Sequence, residues 1–138
     1  MTKAVMALDI GDASIGIAVS DTLLSCAFPL STIKRKSKED DIKKLEEIVS
    51  SRDIDKLVVG LPLDIEGNIG PQAKKVRKFA NYIKKSLDID IEYIDERFTT
   101  KMANQTMYAV GVKDGKKKGI EDALAASYIL EIYLKKIK

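Results

Sequence analysis

Three acidic residues occupy positions from which a sheet-based protein could do chemistry. Asp9 closes the apolar run at residues 4–8, Glu96, beside Asp95, closes the run at 89–94, and Asp122, beside Glu121, opens the last amphipathic stretch. In α/β proteins ligands collect outside the carboxyl ends of strands, where the strand order reverses. If the first and last strands are neighbours, Asp9 and Glu96 meet at one edge, and a helix start crossing that edge brings in Asp122. Three carboxylates at one point repel one another unless a cation is present. A hard divalent ion such as Mg²⁺ takes oxygen ligands and is commonly held by a few acids plus substrate phosphate. The constellation is then a metal site for phosphodiester hydrolysis.

The composition narrows the alternatives. Among 138 residues there is no histidine and one cysteine, Cys26. Imidazole-based hydrolysis, His-ligated zinc and a thiolate zinc cage are therefore excluded. Acid–base or metal chemistry is left to carboxylates, lysines, tyrosines and bound water. Taken singly, each acid also has a plainer explanation. Asp9, just before Gly11, suits a turn. Asp122, expected in the first turn of its helix, suits the positive end of the macrodipole. The functional reading rests on all three acids together.

Two further features bear on substrate. Leu8-Asp9-Ile10-Gly11-Asp12-Ala13-Ser14-Ile15-Gly16 reads as strand, glycine turn, strand. Such a turn can bind phosphate through backbone amides, as in sugar kinases and actin-like ATPases, or it can be a tight hairpin. This chain is too short for the two lobes of those ATPases. Basic residues cluster at Lys34, Arg35, Lys36 and Lys38, along Lys74, Lys75, Arg77, Lys78, Lys84 and Lys85, and at Lys113, Lys116, Lys117 and Lys118. The second set reads as the solvated face of an amphipathic helix. The third reads as a lysine loop before Asp122, an arrangement suited to a phosphate-chain substrate.

The elements that must position these residues follow from periodicity. Residues 3–20 look like a hairpin, and a third strand over 27–33, with Pro29 near its start, suggests a sheet edge. Ser37 with Asp40 three residues later resembles a capping box, and Ile42, Leu45, Ile48 and Val49 repeat at helical spacing. Residues 56–60 are a continuous apolar strand buried on both faces. Ala73, Val76, Phe79, Ala80, Ile83 and Leu87 form a second helical stripe. After the strand at 89–94, Thr99 or Thr100 can cap a third helix carrying Ala103, Met107 and Val110. Residues 112–119 read as a loop, and a last helix over 120–137 places Leu124, Ser127, Leu130, Leu134 and Ile137 on one face. The order βββαβαβαα implies an α/β fold, a mixed sheet with helices on both faces, in one domain spanning 1–138.

The net charge of +3 permits a polyanionic partner without demanding one. No apolar stretch approaches the ~18 residues of a membrane span, and the N-terminal apolar run is too short for a signal peptide. Cys26, alone, offers no disulfide and is expected as a small core or strand residue; a reducing cytoplasmic setting is expected.

Four ordered motifs then point to a family. They are Leu8-Asp9-Ile10-Gly11 with Gly16-Ile17-Ala18-Val19-Ser20-Asp21, and Val59-Gly60-Leu61-Pro62-Leu63 followed by Gly67, Gly70 and Gln72-Ala73. The others are Asp95-Glu96-Arg97-Phe98-Thr99-Thr100 and Lys117-Lys118-Gly119-Ile120-Glu121-Asp122-Ala123-Leu124-Ala125-Ala126. Over essentially its whole length the chain resembles the YqgF/RuvX family, RNase H-like proteins described as pre-16S rRNA nucleases and Holliday junction resolvases. The resemblance implies a five-stranded sheet whose first three strands are antiparallel. It implies catalytic acids at Asp9, Glu96 and Asp122, with Asp95 a possible substitute for Glu96. One departure stands out: where the family carries a basic residue and then arginine, this chain has Ala13 and Ser14, which puts a phosphate contact in doubt.

The expected mechanism is metal-dependent phosphodiester hydrolysis, with Asp9 bridging two Mg²⁺ or Mn²⁺ ions about 3.5–4 Å apart and Glu96 and Asp122 each holding one side. Arg97, Lys117 and Lys118 are candidates to hold substrate phosphates. The expected partner is nucleic acid, either structured RNA, as in 5′-end processing of pre-16S rRNA, or branched DNA, as in junction resolution. The chain is expected as a monomer or homodimer. A non-catalytic nucleic-acid-binding module of the same fold is the alternative.

Overall fold

A computed structural model describes residues 3–96 and 114–138, with the backbone alone over 114–120. The strands are β1 (Ala4–Ile10), β2 (Ser14–Ser20), β3 (Ala27–Lys34), β4 (Ile54–Leu61) and β5 (Asp90–Asp95). The helices are α1 (Lys38–Ser51), α2 (Pro71–Leu87) and α3 (Asp114–Lys136). The strands form one sheet in the order β3-β2-β1-β4-β5. β1–β2 and β2–β3 pair antiparallel, β1–β4 and β4–β5 parallel. The expected mixed sheet is present, with β3 on an edge. β1 and β5, however, are not neighbours. β4 lies between them, because a parallel partner must return through a helical crossover and α1 delivers β4 beside β1 before β5 is reached.

Strand side chains alternate between two layers. Met6, Leu8 and Ile10, with Ile15, Ile17, Leu57 and Val59, pack beneath α1 and α2, where Leu45, Val76, Phe79, Ala80 and Ile83 meet them. Val5, Ala7, Ala18, Val58 and Ile94 face the other way, against Ala126, Ile129, Leu130, Tyr133 and Leu134 of α3. β1 and β4 are thus apolar on both faces, which is why their sequences read as unbroken runs. Ser37 caps α1 as expected, its hydroxyl accepting from the Asp40 amide at 3.1 Å.

Three sequence expectations are corrected. Residues 114–119, expected as a loop, are helical: lysines are good helix formers, and extending a helix already packed over 123–134 costs little, despite Gly115 and Gly119. Of the stripe expected on α3, Ser127, Leu130 and Leu134 are buried, joined by Ala126, Ile129 and Tyr133, whereas Leu124 is half-buried and Ile137 is 45% exposed. Cys26 is exposed, on the turn before β3 whose amides Asp21 accepts. The expected helix carrying Ala103, Met107 and Val110 lies outside the described residues. Among the described residues no helix is long and apolar enough to cross a membrane.

Candidate active site

Asp9 and Glu96 come together across a strand to which neither belongs. Alternation along β1 turns Asp9 to the α3 side, in step with Val5 and Ala7. Leu8 pairs with Val59 and Gly60 with Ile94, so Asp9 is level with Gly60. Glu96 follows β5, its amide donating to the Leu61 carbonyl at 3.3 Å, and its side chain folds back over Gly60. A Cβ on Gly60 would stand 2.5 Å from Glu96 Oε2 and would also strike Ile129. The missing side chain is the opening through which the two carboxyl groups hydrogen-bond to each other.

Two half-buried carboxyls in contact cannot both be ionised cheaply. Burial, and then the Asp9 charge, push Glu96 up to about 9. Asp9 is also raised, chiefly by burial, with the charges of Asp122 and Glu121 adding to it; its bond with Glu96 acts in the opposite sense. The pair therefore shares one proton at neutral pH.

Asp122 reaches the same end of the sheet on α3. It stands more than two turns inside the helix rather than in its first turn, so the macrodipole does not account for it. A second glycine sets its height. Gly16 pairs with Asp9 across the β1–β2 ladder, and a Cβ on Gly16 would overlap the backbone carbonyl of Asp122. The helix thus rests on bare β2 backbone. The Asp122 carboxylate accepts a 2.6 Å hydrogen bond from the hydroxyl of Ser14. Its charge is felt by Asp9, but among the described residues no group of three acidic or thiol side chains forms a ready metal cage.

Ser14 is a site residue that sequence reasoning did not find. Only its place, where the resembling family carries arginine, marked it at all. In the sequence Arg35 stands only as one member of a basic cluster. Its Nη1 donates to the Gly11 carbonyl at 2.8 Å and its Nε to Asp41 at 3.2 Å, while its guanidinium lies 4.3 Å over the Phe79 ring. Its amide donates to the Ala13 carbonyl. Arg35 therefore ties the turn between Asp9 and Ser14 to both α1 and α2. Asp95 is exposed at the last position of β5. Arg97 lies outside the described residues. Lys117 and Lys118 fall in the backbone-only start of α3.

A sequence model of the RuvX family, described as Holliday junction resolvase, matches residues 3–136. A protein of Caldanaerobacter subterraneus subsp. tengcongensis, provisionally named a pre-16S rRNA nuclease, is 44% identical over 131 residues, 94% of each chain. One of Clostridium botulinum strain Hall, with the same provisional name, is 42% identical over 130 residues, 94% of this chain and 95% of that one. Thermus thermophilus RuvC in complex with Holliday junction substrate superposes with a TM-score of 0.56 at 13% identity, covering 98% of this chain and 96% of that one. Fowlpox virus resolvase with Holliday junction DNA gives 0.59 at 10% identity, covering 97% and 98%. The last two similarities establish an RNase H-like fold and no more. A match over residues 3–136 and identities of 42–44% go further: the chain belongs to the RuvX family.

Proposed function

We propose that this chain is a divalent-metal-dependent nuclease that hydrolyses phosphodiester bonds in structured RNA, in the processing of the 5′ end of the 16S rRNA precursor. The observation that carries the reading is the Asp9–Glu96 contact over Gly60, with Asp122 beside it. Carboxylates crowded at the open end of a sheet serve no packing purpose, and either a proton or a cation must reconcile them. The donor set, all hard oxygen, fits Mg²⁺ or Mn²⁺.

Asp9, Glu96 and Asp122 would hold the metal, and Ser14 would fix the Asp122 carboxylate from behind. Bound there, such an ion supplies the charge that ionises a water near neutral pH and stabilises the leaving oxygen. The Asp9–Glu96 pair would release its shared proton to solvent when such an ion is held. Arg97, Lys117 and Lys118 would hold flanking phosphates. In this reading the chain acts as a monomer or a homodimer, in a cytoplasmic setting in keeping with a lone cysteine.

The test is cleavage of a 16S precursor 5′-end RNA by purified protein with Mn²⁺, with EDTA, and by Asp9→Asn. Cleavage that needs the metal and is lost in Asp9→Asn is expected; undiminished cleavage by Asp9→Asn removes Asp9 from the chemistry.

The family's description as a resolvase favours one second reading, nicking of four-way DNA junctions. Paired symmetric nicks need a two-fold dimer, so a monomer that cleaves RNA and leaves junctions intact decides against it.

A further inference from the structure

We propose that the basic groove between α1 and α2 is a second nucleic-acid contact, holding the phosphate backbone of the substrate strand as it leaves the cleavage site. This rests on the nuclease reading and extends it to a surface on the opposite face of the sheet from α3.

Two adjoining hollows, of about 240 and 300 Å³, share Lys38 and Lys78. Together they are lined by five cations, Arg35, Lys38, Lys75, Lys78 and Lys85, against the single carboxylate of Asp12. The sequence alone presents the α2 lysines as a solvated face, but three structural features make them a groove. Lys75, Lys78 and Lys85 share one side of α2, by helical spacing, and Lys38 closes the trough from the start of α1, 5.6 Å over the Tyr82 ring. Among the described residues no carboxylate pairs with Lys78 or Lys85, whereas Lys75 is 4.0 Å from Asp12. The acid nearest the floor, Asp41, is already taken by Arg35; Glu39 and Asp40 of the first turn of α1 are exposed.

The position ties the groove to the site. β1, β3 and β4 run parallel, so α1 and α2 both begin at the edge where Asp9 stands. The Arg35 floor touches Gly11 and Lys75 touches Asp12, both in the turn that follows Asp9. From Lys75 to Lys85 the helix rises roughly 15 Å, which spans about four phosphates of one duplex strand. A strand whose scissile phosphate lies over Asp9 and Glu96 would turn over this edge and run down the trough. Lysines, flexible point charges without a planar fork, suit backbone contact without base reading.

The experiment measures binding of a fluorescein-labelled RNA stem-loop across a salt series, in Ca²⁺, with cleavage of the same RNA in Mn²⁺ alongside. Lys78→Gln/Lys85→Gln is compared with Lys135→Gln/Lys138→Gln, which removes the same charge at the far end of α3. The groove variant is expected to bind on the order of tenfold more weakly and to lower the slope of log Kd against log salt by roughly 1.4–1.8. The control variant should match the wild type. Asp12→Asn should bind more tightly. Equal affinity and slope in the groove variant and wild type overturn the groove while leaving the nuclease reading intact. Equal losses in groove and control variants reduce the effect to net charge and also overturn it. Wild-type protein that neither binds nor cleaves sinks the nuclease reading itself.

Discussion

The α-carbon of Gly16 lies directly beneath the backbone carbonyl of Asp122. No side chain can stand between them, so at this one point β2 and α3 meet main chain to main chain. Gly16→Ala forces backbone against backbone and should destabilise by about 1–3 kcal/mol. Gly60→Ala meets only the Glu96 carboxyl and the tip of Ile129, both able to swing aside, so its cost in stability should be smaller. Both should lose cleavage, because each displaces one acid. Urea denaturation beside a cleavage assay separates them; equal stability losses would contradict the steric account.

The Asp9–Glu96 pair makes stability depend on pH in a definite direction. The Glu96 carboxyl is held near 9 in the folded chain and titrates near 4.3 when unfolded. Between those values the folded state binds more protons, so metal-free protein loses stability as pH rises from about 4 to about 9. Glu96→Gln keeps a neutral side chain at every pH. It should flatten that loss and raise the metal-free melting temperature at pH 8 by several degrees, at about 4 °C for each kcal/mol relieved, while abolishing cleavage. Thermal melts of both proteins with EDTA at pH 5 and pH 8 provide the check. A Glu96→Gln protein that melts no higher than wild type at pH 8 contradicts the shared proton.

Ser14 bonds to Asp122 at 2.6 Å, an outer contact to a proposed metal ligand. Losing such contacts typically lowers metal affinity or activity 10–100-fold. Ser14→Ala should do the same to Mn²⁺ binding measured by calorimetry, with about 1 kcal/mol lost from stability. Ser14→Thr, which keeps the hydroxyl, should restore most of it.

Asp41 is almost wholly buried, its side chain 2% exposed, and faces Arg35 at 22%. Asp41→Asn leaves that guanidinium partly buried without its counter-charge. A cost of about 2–3 kcal/mol is expected, read as a lower urea midpoint at unchanged slope.

Much of the fold could be read from local pattern. The continuous apolar runs marked β1 and β4, Ser37 marked the start of α1, and the stripe from Ala73 to Ile83 marked α2. What escaped is non-local. Nothing near Asp9 or Glu96 reveals that β4 separates them, nor that Gly60 opens the way; a glycine in an apolar run is mute until its neighbours are known. The Ser14–Asp122 bond joins residues 108 apart in the chain, beyond any periodicity. Gly115 and Gly119 misled in the other direction, because local propensity argued for a loop where packing further along α3 sustains a helix.

The α3 layer gives these separate facts a common timing. Among the described residues Val5, Ala7, Ala18, Val58 and Ile94 are shielded chiefly by this helix, with Leu24 and Ala27 at the margin, and Asp122 rides on it. A chain still emerging from synthesis can assemble the five strands of the described sheet while its cutting centre is incomplete. The docking that hides the greasy underside also delivers the last acid, so an unfinished copy, poorly protected against clumping, is by the same token disarmed.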